Sequence, residues 1–128
     1  HVALDQGEMV TAVIIPETSA ALKSAFVKLG ARKYLVISIA MVAVTCALRD
    51  GVLSDVRIAV GSCSPVAKRL SALEAALENQ TLAQTDAILA EAGLSALAPI
   101  DDVRGSKEYR VDVVATLIAQ ALREASHG

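Results

Sequence analysis

The most constraining feature of this chain is a pair of β-rich runs joined by Asp50-Gly51. Val36 to Leu48 is dense in Val and Ile, Arg49-Asp50-Gly51 follows, and Val52 to Val60 resumes the pattern. Asp-Gly between two such runs marks a two-residue hairpin, because both residues tolerate the positive φ that a type I′ turn needs. In the second arm Val56, Ile58 and Val60 alternate with Asp55, Arg57 and Ala59. One face of that strand is therefore buried and the other partly wet.

The rest of the chain is read around this hairpin. Met9 to Ile15 is β-branched and apolar, and Pro16 closes it, which predicts a strand. Leu22, Ala25, Phe26 and Leu29 recur at helical spacing, yet Lys23 to Lys28 reads equally well as extended. Gly61 to Pro65 breaks the second arm. Val66, Leu70, Leu73 and Leu77 then form a helical stripe. Thr81 with Gln84 is a capping-box pattern ahead of Leu82, and Gly93 ends that helix. Ser106 is placed to cap a long last helix whose apolar face runs through Val114, Leu117, Ile118, Ala121 and Leu122. Strands first and helices last imply an α+β fold with an antiparallel sheet, not a βαβ nucleotide fold.

A length of 128 residues fits one domain, 1–128, able to bury ~65–70% of its unfolded surface. With 12 basic and 14 acidic residues, the balance suggests neither nucleic acid nor an anionic membrane as partner. The hydrophobic fraction is 54% and the mean hydropathy +0.50, yet the aromatics are only Phe26, Tyr34 and Tyr109. Two readings account for this surplus: an Ala-rich core, or a face covered by a neighbouring domain or a second copy. Tyr34 to Leu48 is an uncharged run of 15 residues. It is short of the ~20 needed to span a bilayer. The first residue is His1, which reads as an excised or processed piece or a tag remnant.

Chemistry is sparse. His1 and His127 sit at the ends, poor places for a general base or a metal ligand. Glycine-rich dinucleotide loops, phosphate-binding loops and nucleophile elbows are missing. Ser62-Cys63-Ser64 has no internal histidine to activate it and reads as a turn. Cys46 and Cys63 suit buried reduced thiols; two thiolates alone do not hold an iron–sulfur cluster. Asp101 and Asp102 are neighbours that diverge, as capping groups do. Lys28, Arg32 and Lys33 are the one basic cluster near the sheet: either a solvated rim or the edge of an anion or cofactor site.

Three ordered motifs carry a resemblance. Phe26-Val27-Lys28 with Arg32 resembles a Y/F-x-K-x-x-x-R stretch. Ala59-Val60-Gly61 with Pro65, Arg69, Glu74 and Leu77 resembles A-L-G-x-x-x-P … R … E … L. Asp102, Arg104, Ser106, Tyr109 and Arg110 resemble D-x-R-x-S-x-x-Y-R. Together, over about Met9 to Leu122, they are similar to the C-terminal domain of the FAD-binding subunit of molybdenum hydroxylases, the group of xanthine and carbon monoxide dehydrogenases.

The resemblance implies three or four antiparallel strands with three helices packed on one face, and the extended reading of Lys23 to Lys28. It implies FAD, shared with a preceding N-terminal domain of roughly 150–200 residues. Molybdopterin and two [2Fe-2S] clusters would lie on partner subunits or domains, with electrons leaving the flavin for NAD or another acceptor. By the same resemblance Lys28 approaches the pyrimidine edge of the flavin and favours its anionic reduced form. Arg32 and Lys33 begin the adjoining loop, with a positioning or interdomain role, and Asp102, Arg104, Ser106, Tyr109 and Arg110 form a helix-start and interface cluster. A cytoplasmic complex is implied, and no catalytic residue or metal ligand falls within this chain. Val36 stands where many relatives carry Asp, and Asn79 where Gly is frequent. The competing reading is a stand-alone interaction or scaffold module of the same fold without a cofactor.

Overall fold

A computed structural model describes residues 3–18, 21–32 and 36–127. Four strands, β1 (Lys23–Gly30), β2 (Ser38–Arg49), β3 (Val52–Gly61) and β4 (Lys68–Arg69), form one antiparallel sheet in the order β1-β2-β3-β4. Three helices follow: α1 (Ser71–Leu77), α2 (Thr85–Ala92) and α3 (Lys107–His127). α3 lies against β2 and β1, α1 against β3, and α2 on the other two helices.

The β2–β3 hairpin turns on Asp50 and Gly51 at φ 52° and 79°, with Arg49 opposite Val52, as the sequence predicted. Its buried face carries Val42 opposite Val60 and Val44 opposite Ile58, all under the helices. α3 contributes Val114, Leu117, Ile118, Ala121 and Leu122 to the same core. Cys46 and Cys63 are free and buried in it. Burial pushes both thiols up; beside Cys63 the Arg110 charge partly opposes that.

Segment 23–30 is extended, which resolves the ambiguity in favour of a strand. Ala25, Val27 and Leu29 lean on the core, while Ser24, Phe26 and Lys28 face the other way. Local helical spacing loses here to ladder bonds and to burial of every second residue.

Two expectations are corrected. The stripe from Val66 to Leu77 is not one helix. Lys68 and Arg69 pair with Val60 and Ala59 as β4, which holds the chain extended, so α1 starts only at Ser71 and Val66 stays exposed. Residues 9–15 form no strand, because no neighbouring backbone in this domain supplies them with a ladder.

α1 is tied to β3 through carboxylates. Glu74 Oε1 accepts the Ile58 N–H at 2.8 Å, and both Glu74 oxygens take the Arg69 fork at 2.7 Å. Glu78 accepts the N–H groups of Asp55 and Val56 at 3.1 and 3.3 Å. Those two residues oppose Cys46 alone, a bulge with Asp55 at φ 52°. Asn79, at φ 63°, supplies the left-handed exit of α1 in place of glycine. Gln84 Oε1 accepts the Thr81 N–H at 2.9 Å, opening the turn that leads into α2.

Candidate functional site

Of the basic residues that the sequence analysis singled out, Lys28 lies on the sheet face away from the helices. Phe26, Ala43 and Ala59 sit side by side across three strands, as do Lys28, Met41 and Gly61. A small hollow of about 120 Å³ opens here, lined by Phe26, Met41, Ala43, Ala59, Gly61 and Ala67. Phe26 is 60% exposed. At Gly61 an added Cβ would lie 2.5 Å from Met41 Cε, so the glycine is what lets Met41 lie flat across the sheet.

Lys28 is exposed, but its head is directed. Nζ donates to the carbonyl of Val36 at 2.9 Å, bridging the end of β1 to the segment that leads into β2. Gly30 makes that approach possible: a side chain there would run into Val36 Cγ1. The β1–β2 register also slips between Leu29 and Gly30. Arg32 is exposed beyond the end of β1. Lys33 lies outside the described residues. The anchor on Val36 is a main-chain oxygen, so no side-chain pattern could have revealed it.

The second cluster gathers Asp102, Arg104 and Arg110. Asp102 Oδ1 accepts the Arg104 N–H at 2.8 Å and Arg110 Nη2 at 2.7 Å, and Oδ2 accepts Arg104 Nη1. The Arg104 N–H, then the Arg110 and Arg104 side chains, hold the Asp102 carboxyl below the usual carboxylate range against desolvation. Arg110 is 2% exposed. Its Nη1 donates to the carbonyls of Ile39, at the start of β2, and Ser62, just past β3. Ser106 Oγ accepts the Tyr109 N–H at 3.2 Å and Asp101 accepts the Lys107 N–H at 2.8 Å, so both cap α3. Tyr109 stands apart, 46% exposed, with its ring over Gly105. The sequence reading singled out these residues but not the burial of Arg110, nor the two carbonyls that make it a clamp on one end of the sheet.

A cleft of about 420 Å³ lies at that end, with Ile37, Ser62, Pro65, Ile100, Arg104 and Arg110 among its walls. Ser62-Cys63-Ser64 is a turn on its rim: Ser62 has φ 65°, and Ser64 Oγ accepts the Ala98 N–H at 3.1 Å. Among the described residues no group of His, Cys, Asp and Glu could hold a metal ion, and no helix is long and apolar enough to cross a membrane.

Fold and site together define a class: a helix-backed antiparallel sheet with a directed lysine on its open side. Comparison with known proteins gives the class its family. Residues 24–125 match the model of the CO dehydrogenase flavoprotein C-terminal domain. The chain belongs to that family.

It is 40% identical over 88 residues to the nicotine 6-hydroxylase medium subunit of Paenarthrobacter nicotinovorans, covering 68% of this chain and 31% of that protein. It is 30% identical over 126 residues to the xanthine dehydrogenase FAD-binding subunit of Escherichia coli O157:H7, covering 97% of this chain and 43% of that one. Among solved structures, a chain of carbon monoxide dehydrogenase from Hydrogenophaga pseudoflava superposes with TM-score 0.79 at 29% identity, over 88% of this chain and 39% of that one. The chain thus spans less than half the length of these relatives.

Proposed function

We propose that this chain acts as the C-terminal domain of the FAD subunit of a molybdenum hydroxylase, closing over one edge of a flavin held mainly by a preceding domain. The observation that carries this reading is Lys28: an exposed cation held 2.9 Å from the Val36 carbonyl, inside the stretch matched by the family. The residues fit one end of the group. A compact ammonium suits the electron-rich edge of the ring, and Ile37, 65% exposed and next along the chain, offers an apolar wall. A phosphate-binding glycine loop is not in this sequence, so the pyrophosphate would rest on the other domain.

Bound FAD would supply the redox chemistry, receiving electrons by way of iron–sulfur clusters on partner subunits and passing them to NAD or another acceptor. Lys28 holds positive charge at the ring edge, and its bond to Val36 limits where that charge sits. Arg32 and Lys33 position the loop between β1 and β2. Arg110, with Asp102 and Arg104, braces the end of the sheet, Ser106 caps α3, and the more exposed Arg104 and Tyr109 would face the neighbouring domain. The substrate would bind the molybdopterin subunit.

The test is Lys28→Ala in the full-length subunit, read by the flavin reduction potential. A unit charge at ~4 Å in water-like surroundings is worth about 1 kcal/mol. That moves a two-electron potential by roughly 20 mV, so the variant should be more negative by at least about that much, with Lys28→Arg retaining most of the wild-type value. An unchanged potential removes Lys28 from the site. A full-length subunit that binds no flavin favours the cofactor-free scaffold instead.

A further inference from the structure

The Lys28 site and the Asp102–Arg104–Arg110 cluster meet at one irregularity of the sheet. In the β1–β2 ladder Leu29 pairs with Ala40 and Gly30 with Ser38, so Ile39 is passed over. β3 does not take it up either, since its pairing with β2 begins at Met41. Ile39 is therefore a bulge residue, one more on β2 than β1 can match. Its burial agrees: Ile39 and Ala40 are buried in succession, which breaks the in-and-out alternation of the strand.

A bulge leaves backbone groups without a ladder partner, and a buried carbonyl needs a donor. Arg110 Nη1 supplies one, binding the Ile39 carbonyl and, at 3.1 Å, that of Ser62 past the end of β3. Asp102 Oδ1 holds Nη2 at 2.7 Å, and Nε has no acceptor among the described residues. The guanidinium thus directs its bonds at the bulge, at Ser62 and at the carboxylate that aims it.

We propose that Arg110, aimed by Asp102, is a positioning residue for the Lys28 ammonium, acting through the Ile39 bulge; this rests on the reading that Lys28 faces a flavin. Ile39 follows closely on Val36, whose carbonyl accepts Lys28 Nζ at 2.9 Å. The same slip sets Gly30 opposite Ser38, where a side chain would run into Val36 Cγ1. Were the bulge to relax into a regular ladder, the residues before it would move one step, about 3.4 Å along β1. A hydrogen bond reaches only about 3.2 Å between heavy atoms, so Lys28 would lose this acceptor. The step would also turn Val36, Ile37 and Ser38 to the opposite faces.

Two variants of the full-length subunit test this. Arg110→Met removes the donor. Asp102→Asn keeps the arginine but weakens its aim, and serves should the first fail to fold. With flavin removed, acetylation by acetic anhydride, read by mass spectrometry, reports how often the Lys28 amine leaves Val36. Loss of one exposed hydrogen bond should raise that rate about fivefold in Arg110→Met, and by less in Asp102→Asn. Lys68, exposed on β4, should keep its wild-type rate. With flavin bound, Arg110→Met should shift the reduction potential in the same direction as Lys28→Ala, and add nothing to it in the double variant.

Wild-type labelling of Lys28 in both variants overturns the proposal, as does an equal rise at Lys28 and Lys68, which marks general loosening. A potential that Arg110→Met shifts equally with and without Lys28 also overturns it, since Arg110 would then act by its own charge. A potential that moves with Lys28→Ala but not with Arg110→Met overturns it too, and leaves the flavin reading intact. If labelling responds while neither substitution moves the potential, the positioning of Lys28 stands and the flavin reading falls.

Discussion

Arg110→Met is the sharpest test of what holds the sheet end in place. The guanidinium is 2% exposed and donates to two main-chain carbonyls, Ile39 and Ser62, and to Asp102 at 2.7 Å. Methionine matches the length and keeps the apolar stem but can donate nothing. Asp102 retains both of its Arg104 contacts, so the loss falls mainly on the two carbonyls. Each buried acceptor left without a donor costs about 1–3 kcal/mol. Relief from burying a charge offsets part of this, leaving a net loss of about 3 kcal/mol, at the lower end for breaking a buried pair. For 128 residues the unfolding entropy corresponds to roughly 4 °C per kcal/mol. The melting temperature followed by circular dichroism should fall by about 12 °C. Combining Arg110→Met with Asp102→Asn should cost less than the two single losses added, because the two residues share a bond. Apolar replacements of buried ion pairs are sometimes neutral or stabilising. A melting temperature equal to or above wild type would therefore refute the clamp, as would strict additivity.

Glu74 should confer pH-dependent stability. Its hydrogen bonds with Arg69, and the Ile58 N–H, hold its carboxyl below the ordinary range against desolvation. A carboxylate whose folded pKa is depressed stabilises the fold above its unfolded value of about 4.3, and that contribution fades as pH falls through the folded value. Urea midpoints should thus drop more steeply below about pH 4 in wild type than in Glu74→Gln, and parallel curves would sink the assignment. Gly30→Ala should push Val36 away, because the new Cβ meets Val36 Cγ1. A loss of about 1–3 kcal/mol in chemical unfolding is expected, as for other overpacked sites, and an unchanged midpoint would mean that the segment before β2 yields freely.

Much of the fold is legible in residue order because its signals are local. Asp50-Gly51 states its own turn, Ser106 its own cap, and the stripe from Val114 to Leu122 its own buried face. The ordered motifs around Lys28, Gly61 and Asp102 likewise carried the family, later matched over residues 24–125. What local pattern could not settle is whatever depends on a partner distant in sequence.

Residues 23–30 have helical spacing yet form a strand, because β2 offers a ladder to them and the core takes every second side chain. Residues 9–15 have the composition of a strand yet form none, because this domain offers them no ladder. Val66 to Leu70 fits a helical stripe, but pairing of Lys68 and Arg69 with β3 is worth more than another helical turn. The site follows the same division. Sequence named Lys28 and Arg110 by motif; only the tertiary structure decided that one points at the Val36 carbonyl and that the other is buried between two strand ends. Residue type sets what a side chain can donate. Which acceptor it meets is set by chain segments up to 71 residues away, as from Arg110 to Ile39, and only folding brings those together.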